Sequence, residues 1–409
     1  MAVTATALLR EHFALEPAAR VWAPGRVNIV GEHTDYSLLP VLPMAIDRGI
    51  ELVGAAVAGP GVRGVSATHG EAEIGSGRGW GVILECVLAA LAAHRGDGVG
   101  GSARRRGIRI AVSGDLPASG GLSSSSALTV GLAVLVGRLW ALDLTASDVI
   151  EVAVAAERLT GVEGGTMDQT VIVRARTGTA LRIDFLPQGE RAVPIPDDLA
   201  FVVGFSGEPS DKRGTARAHY NGAVVACRGA AVALAARLGI DVGTPPVLGR
   251  VASMVLPGDL AALPEMASAG DLAAATGVAV ESLTSLSASS FPAHAQLPVR
   301  AAAVHVLSEA HRVDEGERAL RQGEARRLGR VLDASHTSLA NFGATTRALD
   351  TLVGAARRAG AYGARLTGAG FGGWAVAACH PGSAGDVAAA MREAGGGPAF
   401  RVTPSGGAG

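Results

Sequence analysis

Residues Pro117–Ala127 read PASGGLSSSSA. Gly120 and Gly121 carry no Cβ, so the backbone there can turn sharply and come close to a ligand. Four hydroxyls follow, Ser123 to Ser126, and then ALTVGLAVLVGRLW (127–140), long enough for a buried helix. A glycine turn, a hydroxyl cluster and a helix start together build an anion site from unpaired backbone N–H groups and the positive end of a helix dipole. A hydroxyl at the helix mouth can also ligate Mg²⁺, which prefers hard oxygen ligands and phosphate partners. The same letters fit a small-residue turn with a serine cap. No Gly-Lys-Ser/Thr follows the glycines, so this is not a Walker A loop.

Upstream, IRIAVSGDLP (108–117) alternates like a strand and runs into this loop. Further toward the N-terminus the pattern predicts a short helix over 6–15, a strand over 20–23, a polar loop over 26–40 and extended chain over 41–57. Helical periodicity covers 79–94, and RGDGVGGSARRRG (95–107) has turn composition. Downstream, a long amphipathic helix capped near Ser147 or Asp148 ends in glycines near TGVEGG, and a strand covers 180–185. Residues 186–198, LPQGERAVPIPDD, read as a linker. A second half opens with the strand LAFVVGFS (199–206), continues through Ala-rich helices over 215–275 and 300–365, and closes with TGAGFGG (367–373), the strand WAVAACH and a disordered tail. Strands and helices mix in both halves. The expected fold is α+β with two domains, 1–190 and 199–409, and the active site in the cleft between them.

Composition narrows the function classes. The 409 residues are 48% hydrophobic and 18% charged, enough for a large core in two or so domains. With 36 basic and 37 acidic residues, the chain lacks the basic excess of a nucleic-acid binder. The one dense basic run, ARRRG (103–107), reads as a solvated loop. Cys86, Cys227 and Cys379 are odd in number and far apart, which argues against a disulfide framework or a Cys₄ zinc site and fits a reducing, cytoplasmic setting. Arg10, Glu11 and His12 sit where a signal peptide needs its apolar core. No uninterrupted apolar run reaches ~18 residues, so no membrane span is expected. A monomer is the expected state.

Three further stretches can carry chemistry. GRVNIVGEHTD (25–35) crowds Glu32, His33 and Asp35 into one loop just after Arg26. Its groups can accept hydrogen bonds from neighbouring hydroxyls of a sugar ring. A solvated polar loop is the plainer reading, weakened by the apolar flanks Ile29, Val30, Leu38, Leu39 and Val41. One histidine with two carboxylates is not a distinctive metal set. GGTMDQ (164–169) places Asp168 after a Gly-Gly turn, where a lone Asp is commonly a turn residue, and Glu157 near the end of the preceding helix reads alone as a surface charge. GAGFGG (368–373), preceded by Arg365 and Thr367, can pack against a phosphate-bearing ligand or another loop. As a dinucleotide fingerprint it is weak, because its strand follows rather than precedes it.

Taken together, GRVNIVGEHTDY, PASGGLSSSSA, GGTMDQ and LTGAGFGGWAVA resemble, in order and rough spacing from about residue 18 to 380, the galactokinase family of the GHMP small-molecule kinase superfamily. Weaker echoes are KRGTARAHYN (212–221) and SHTSL (335–339). The resemblance implies a nucleotide-dependent sugar 1-kinase acting on ATP with Mg²⁺. It implies that Arg26 stabilises the transition state and Asp168 is the catalytic base. Glu32, His33, Thr34, Asp35, Gly165 and Tyr220 would bind the sugar. Ser119, Gly120, Gly121, Leu122, Ser123, Ser124 and Ser125 would wrap the ATP phosphates, and Ser125 and Glu157 would ligate Mg²⁺.

The chain departs from the family where an Asn and glycines usually follow Asp-Tyr; here stand Ser37, Leu38, Leu39 and Pro40. Gly222 to Val225 replace arginines, and Thr345 to Ala348 replace a Ser-x-Pro-Glu pattern. The altered 37–40 loop leaves a second sugar open, an N-acetylated or uronic relative of galactose. A non-catalytic sugar and nucleotide sensor is the reading from another class. It would need a damaged phosphate loop or base, and Arg26, GLSSSSA, Glu157 and Asp168 are all present.

Overall fold

The computed structural model describes residues 3–73, 79–96, 107–117, 120–210, 215–286 and 289–409. Residues 103–106 of the basic run, Ser119 of the phosphate loop, and Lys212 to Gly214 of the weaker echo lie outside the described residues.

In the first half a short helix, α1 (Ala5–Phe13), precedes a sheet of β1 (Ala19–Val30), β2 (Leu42–Val57), β3 (Val62–Ser66), β4 (Gly70–Glu73) and β5 (Gly107–Gly114), in the order β1-β2-β5-β3-β4. Among the described residues of this sheet, only the β3–β5 pairing is parallel. α2 (Gly81–His94), α3 (Ser124–Leu139), α4 (Ala146–Leu159) and α5 (Met167–Arg174) cover one face. α3 is buried along nearly its whole length, as a helix dominated by Ala, Val and Leu is, and packs on β1 and β2. It begins at Ser124, so the hydroxyl cluster forms its first turn. α4 is capped by Thr145, two residues earlier than the sequence pattern suggests, in a reciprocal capping box with Asp148.

A hairpin, β6 (Thr179–Phe185) and β7 (Gln188–Pro194), joins the halves. Residues 186–198 are therefore not a plain linker. Arg191 on β7 makes ion pairs that the composition alone did not anticipate.

The second half holds β8 (Ala200–Phe205), then α6 (Thr215–Leu238), α7 (Pro257–Ala261), α8 (Ala269–Thr276), α9 (Val280–Thr284), and the small hairpin of β9 (Ser285–Leu286) and β10 (Ser289–Ser290). α10 (Val299–Arg321), α11 (Ala325–Phe342) and α12 (Arg347–Arg358) lead into β11 (Gly363–Thr367) and β12 (Trp374–Cys379). α13 (Ala384–Gly395) and β13 (Ala399–Val402) follow. The sheet order is β11-β12-β8-β13, all antiparallel. Among the described residues one helix, Arg217–Leu238, is long and apolar enough to cross a membrane, but most of it is buried inside the protein as a core helix.

Two further features differ from expectation. Residues 26–30 are strand rather than polar loop, because Val27, Ile29 and Val30 are fully buried in a core shared with Phe201, Leu328 and Trp374 of the second half. The tail is also ordered. Beyond β13 it crosses back to the first half, where Gly407 and Ala408 donate to the carbonyls of Ala175 and Ile172 at the end of α5. Gly409 and Trp22 exchange backbone hydrogen bonds. Its glycines fit because Gly407 lies against the backbone of Ile172 and Val173.

Candidate active site

The strand β1 carries Arg26 past a register shift at Pro24/Arg26, into the junction of the two halves. Asp168 projects from the first turn of α5, where a carboxylate also complements the helix dipole. The two meet as a bidentate pair: Arg26 Nε donates to Asp168 Oδ1 at 2.7 Å and Nη2 to Oδ2 at 2.9 Å. Arg26 is 3% exposed. Burial works against its charge, but Asp168 and Glu32 outweigh that and raise its pKa. Arg26 Nη1 also donates to the Gly121 carbonyl, and the Leu122 carbonyl accepts from the Arg26 amide. The arginine therefore ties Asp168 directly to the glycine-serine loop.

That loop locks against the second glycine turn. Gly368 has φ +89° and Gly121 has φ +106°, backbone that side chains rarely adopt. A Cβ on Gly368 would stand 2.7 Å from Gly121 Cα. Of the loop residues, Leu122 is core, so only its backbone faces outward. The Ser123 hydroxyl donates to Asp168 Oδ2 instead of capping α3, and Ser126 lies 3.4 Å from the same oxygen. The Ser123 side chain thus makes no cap hydrogen bond at the mouth of α3. Ser124 is half-buried and Ser125 exposed there.

Beside this couple lies a small cavity of about 40 Å³. Its wall includes Arg26, Glu32, His33, Asp35, Glu157, Gly165, Asp168 and Tyr220, so half of the sequence-derived candidates converge on one space. Gly165 is required as glycine by contact, since a Cβ would come within 2.1 Å of Asp35 Oδ2. Burial and the Asp168 charge push the Asp35 pKa up to about 6, against hydrogen bonds from the Tyr36 and Met167 amides. Burial likewise raises the pKa of Glu32, opposed by Arg365, Arg26 and the Gly368 amide.

His33 sits at φ +64°, reversing the loop, and burial lowers its pKa to about 3. Its Nε2 is 3.1 Å from the Ala369 carbonyl, which can only accept, so Nε2 carries the proton and Nδ1 accepts from the Tyr36 hydroxyl at 3.0 Å. Both nitrogens are thus engaged within the protein. Thr34 lies apart from the cavity wall; its hydroxyl is 2.9 Å from the Gly31 carbonyl and 2.8 Å from that of Pro40. Ser37 to Pro40 also stay off the wall: Leu39 is in the second-half core, and Gly249 abuts the carbonyls of Ser37 and Leu38.

The wall also contains Gln169, Gly368 and Ala369, which motif reading did not single out as site residues. Gln169 and Gly368 were inside quoted motifs, so only their orientation was missing. His305 and Glu309, which brace the 31–33 segment from α10, carried no motif signal at all. Chemically, a wall with four carboxylates and one guanidinium suits a polyhydroxylated ligand, and the helix mouth suits a phosphate chain.

Residues 82–176 match the GHMP kinases N terminal domain, residues 7–56 the galactokinase galactose-binding signature and residues 317–397 the GHMP kinases C terminal. The chain is 32% identical to a galactokinase of Roseiflexus sp. (strain RS-1), covering 90% of this chain and 85% of that one. It is 30% identical to a galactokinase of Thermococcus kodakarensis, covering 88% of each. Among solved structures, Lactococcus lactis galactokinase complexed with galactose shares the fold at a TM-score of 0.77 and 22% identity, covering 99% of this chain and 98% of that one.

Proposed function

The chain belongs to the galactokinase family of the GHMP kinases, and on that premise we propose that it transfers the γ-phosphoryl group of ATP to the anomeric hydroxyl of D-galactose. The products are α-D-galactose 1-phosphate and ADP. The observation that carries this reading is the Arg26–Asp168 couple, bound on one side to the glycine-serine loop and open on the other to the acid-lined cavity.

Glu32, Asp35 and Tyr220 would hold sugar hydroxyls, and Gly165 would leave room for them. The His33 ring would contribute its face, since both nitrogens are used. The amides of Gly120 to Ser125 at the helix mouth would receive the phosphates. Ser125 and Glu157 offer a hydroxyl and a carboxylate, the hard oxygen donors Mg²⁺ takes, so the donor set fits. When bound, the ion neutralises charge on the phosphates. Asp168 would orient the anomeric hydroxyl and receive its proton as the new O–P bond forms and the bond to the ADP oxygen breaks. Arg26 keeps that carboxylate placed and offsets charge on the transferred group. Phosphoryl transfer depends mainly on such positioning and charge neutralisation.

A coupled ADP-release assay across hexoses tests the reading. Galactose is expected to support turnover, and activity on another sugar with none on galactose would overturn it. Asp168→Ala is expected to lose about 10³-fold or more in kcat while nucleotide affinity survives. Near-normal turnover in that variant removes Asp168 from the chemistry.

A further inference from the structure

Arg365 is fully buried, yet it belongs to neither the Arg26–Asp168 couple nor the cavity wall. It lies on β11 of the second half and reaches into the first. Its Nη1 donates to the Ile29 carbonyl at 3.1 Å. Its Nη2 is 3.1 Å from Glu32 Oε1, but no aligned hydrogen bond forms there, and its Nε has no partner either. Toward Glu32, Arg365 therefore acts mainly as a fixed charge, in surroundings where charge counts strongly. The same Glu32 oxygen accepts from the Gly368 amide at 2.7 Å. On the far side of Arg365, Glu309 Oε1 stands 4.0 Å from Nη1. Glu309 is itself fully buried and fastened by the Ser335 hydroxyl at 2.6 Å, the Gly31 amide at 3.0 Å and Arg312 at 2.5 Å.

We propose that Arg365 is a positioning residue for sugar binding: it holds and orients the Glu32 carboxylate on the cavity wall, and Glu309 is the counter-anion that fixes Arg365 in place. This rests on the sugar-kinase reading of the cavity. It makes the second half of the chain a determinant of sugar affinity although its arginine never reaches the ligand. The other groups facing Glu32 do not substitute for it. Arg26 also favours the Glu32 carboxylate, but its Nε and Nη2 donors are committed to Asp168. His33 and His305 are held neutral by burial, with pKa values of about 3 and about 4. Asp35 and Glu309 are acids, and buried Tyr220 stays protonated. Without Arg365, the pKa of the Glu32 carboxyl, already raised by burial, rises further.

Calorimetric titration of galactose and of ADP into the full chain and its variants across pH 6 to 9 tests this. Arg365→Met is expected to lose about tenfold or more in galactose affinity at pH 7, with ADP affinity within about twofold of wild type. The galactose loss should shrink as pH rises. Arg365→Lys, which keeps the charge, should retain galactose binding. Wild-type galactose affinity and pH profile in Arg365→Met, or parallel loss of both ligands, overturns the proposal. Should Arg365→Met not fold, the double variant Arg365→Met/Glu32→Gln is expected to regain a cooperative thermal transition, because the Glu32 charge is gone and Glu309 keeps Arg312, Ser335 and the Gly31 amide as partners. A double variant as unfolded as the single sinks the idea. Wild-type protein that binds no galactose refutes the sugar reading instead, and the thermal comparison of the same two positions still decides whether they are coupled.

Discussion

Asp35 and Gly165 show how one atom decides a site. The missing Cβ of Gly165 is the space that Asp35 Oδ2 occupies, so Gly165→Ala must push the carboxylate out of place. Asp35 has a second consequence. Its pKa of about 6 lies above that of an unfolded aspartate, so the folded chain holds its proton more tightly. Stability from Asp35 is therefore full below about pH 4 and lost as pH rises through about 6. Function runs the other way, because only the carboxylate is a strong acceptor for sugar hydroxyls. The KM for galactose should rise as pH falls below about 6, while Asp35→Asn should have a high KM without that limb. Asp35→Asn should also be more stable than wild type above pH 7, by about 1–2 kcal/mol. A thermal melt series against pH checks the second half, and an Asp35→Asn variant that keeps the acid limb of KM removes the assignment.

At the level of elements, the site depends on two glycine turns pressed backbone to backbone. One leads from β5 into α3, the other from β11 into β12, and their contact joins the halves beside Arg26. Gly368→Ala puts a methyl group 2.7 Å from Gly121 Cα at a φ of +89°. The expected cost is about 2–4 kcal/mol of stability, with turnover lost more steeply than galactose affinity because the phosphate loop is displaced. Denaturant unfolding and steady-state kinetics read both, and a variant with wild-type midpoint and kcat contradicts this packing. The same scale explains where sequence reading fell short. Val27 to Val30 look like the start of a polar loop because Arg26, Asn28 and Glu32 interrupt them. They are strand because both faces of β1 are covered, one by α3 and one by the second-half core.

Over the whole molecule, the halves are also joined on the outside. Arg182 and Arg191 of the hairpin grip Asp184, Asp314 and Glu317, the last two from α10, and Arg321 adds to Glu317. Although burial opposes it, this ring of arginines lowers the Glu317 pKa to about 2. A depressed carboxylate contributes stability above its unfolded value, and that contribution disappears as pH falls from about 4.5 toward 2. Glu317→Gln should lower stability at pH 7 by about 1–2 kcal/mol and flatten the acid limb of the stability profile. An unchanged acid limb in that variant means the network carries no such load. The returning tail adds another tie, because it supplies the N–H groups that end α5, the helix bearing Asp168.

From its letters alone, this chain specified the strand–loop–helix around Pro117 to Ala127, the alternation of strands and helices in both halves, and the four motifs. Each depends on local chemistry: missing Cβ atoms, short polar side chains and periodic apolar ones. Only the folded molecule decided which motif residues share a cavity. It turned the Thr34 hydroxyl to the Gly31 and Pro40 carbonyls and the Ser123 hydroxyl to Asp168, and it seated Ser37 to Pro40 against the core. It also placed Arg365 beside Glu32, 333 residues apart in the chain. Such pairings follow from how two sheets and their helices bury a common core, and no window of neighbouring residues contains that information.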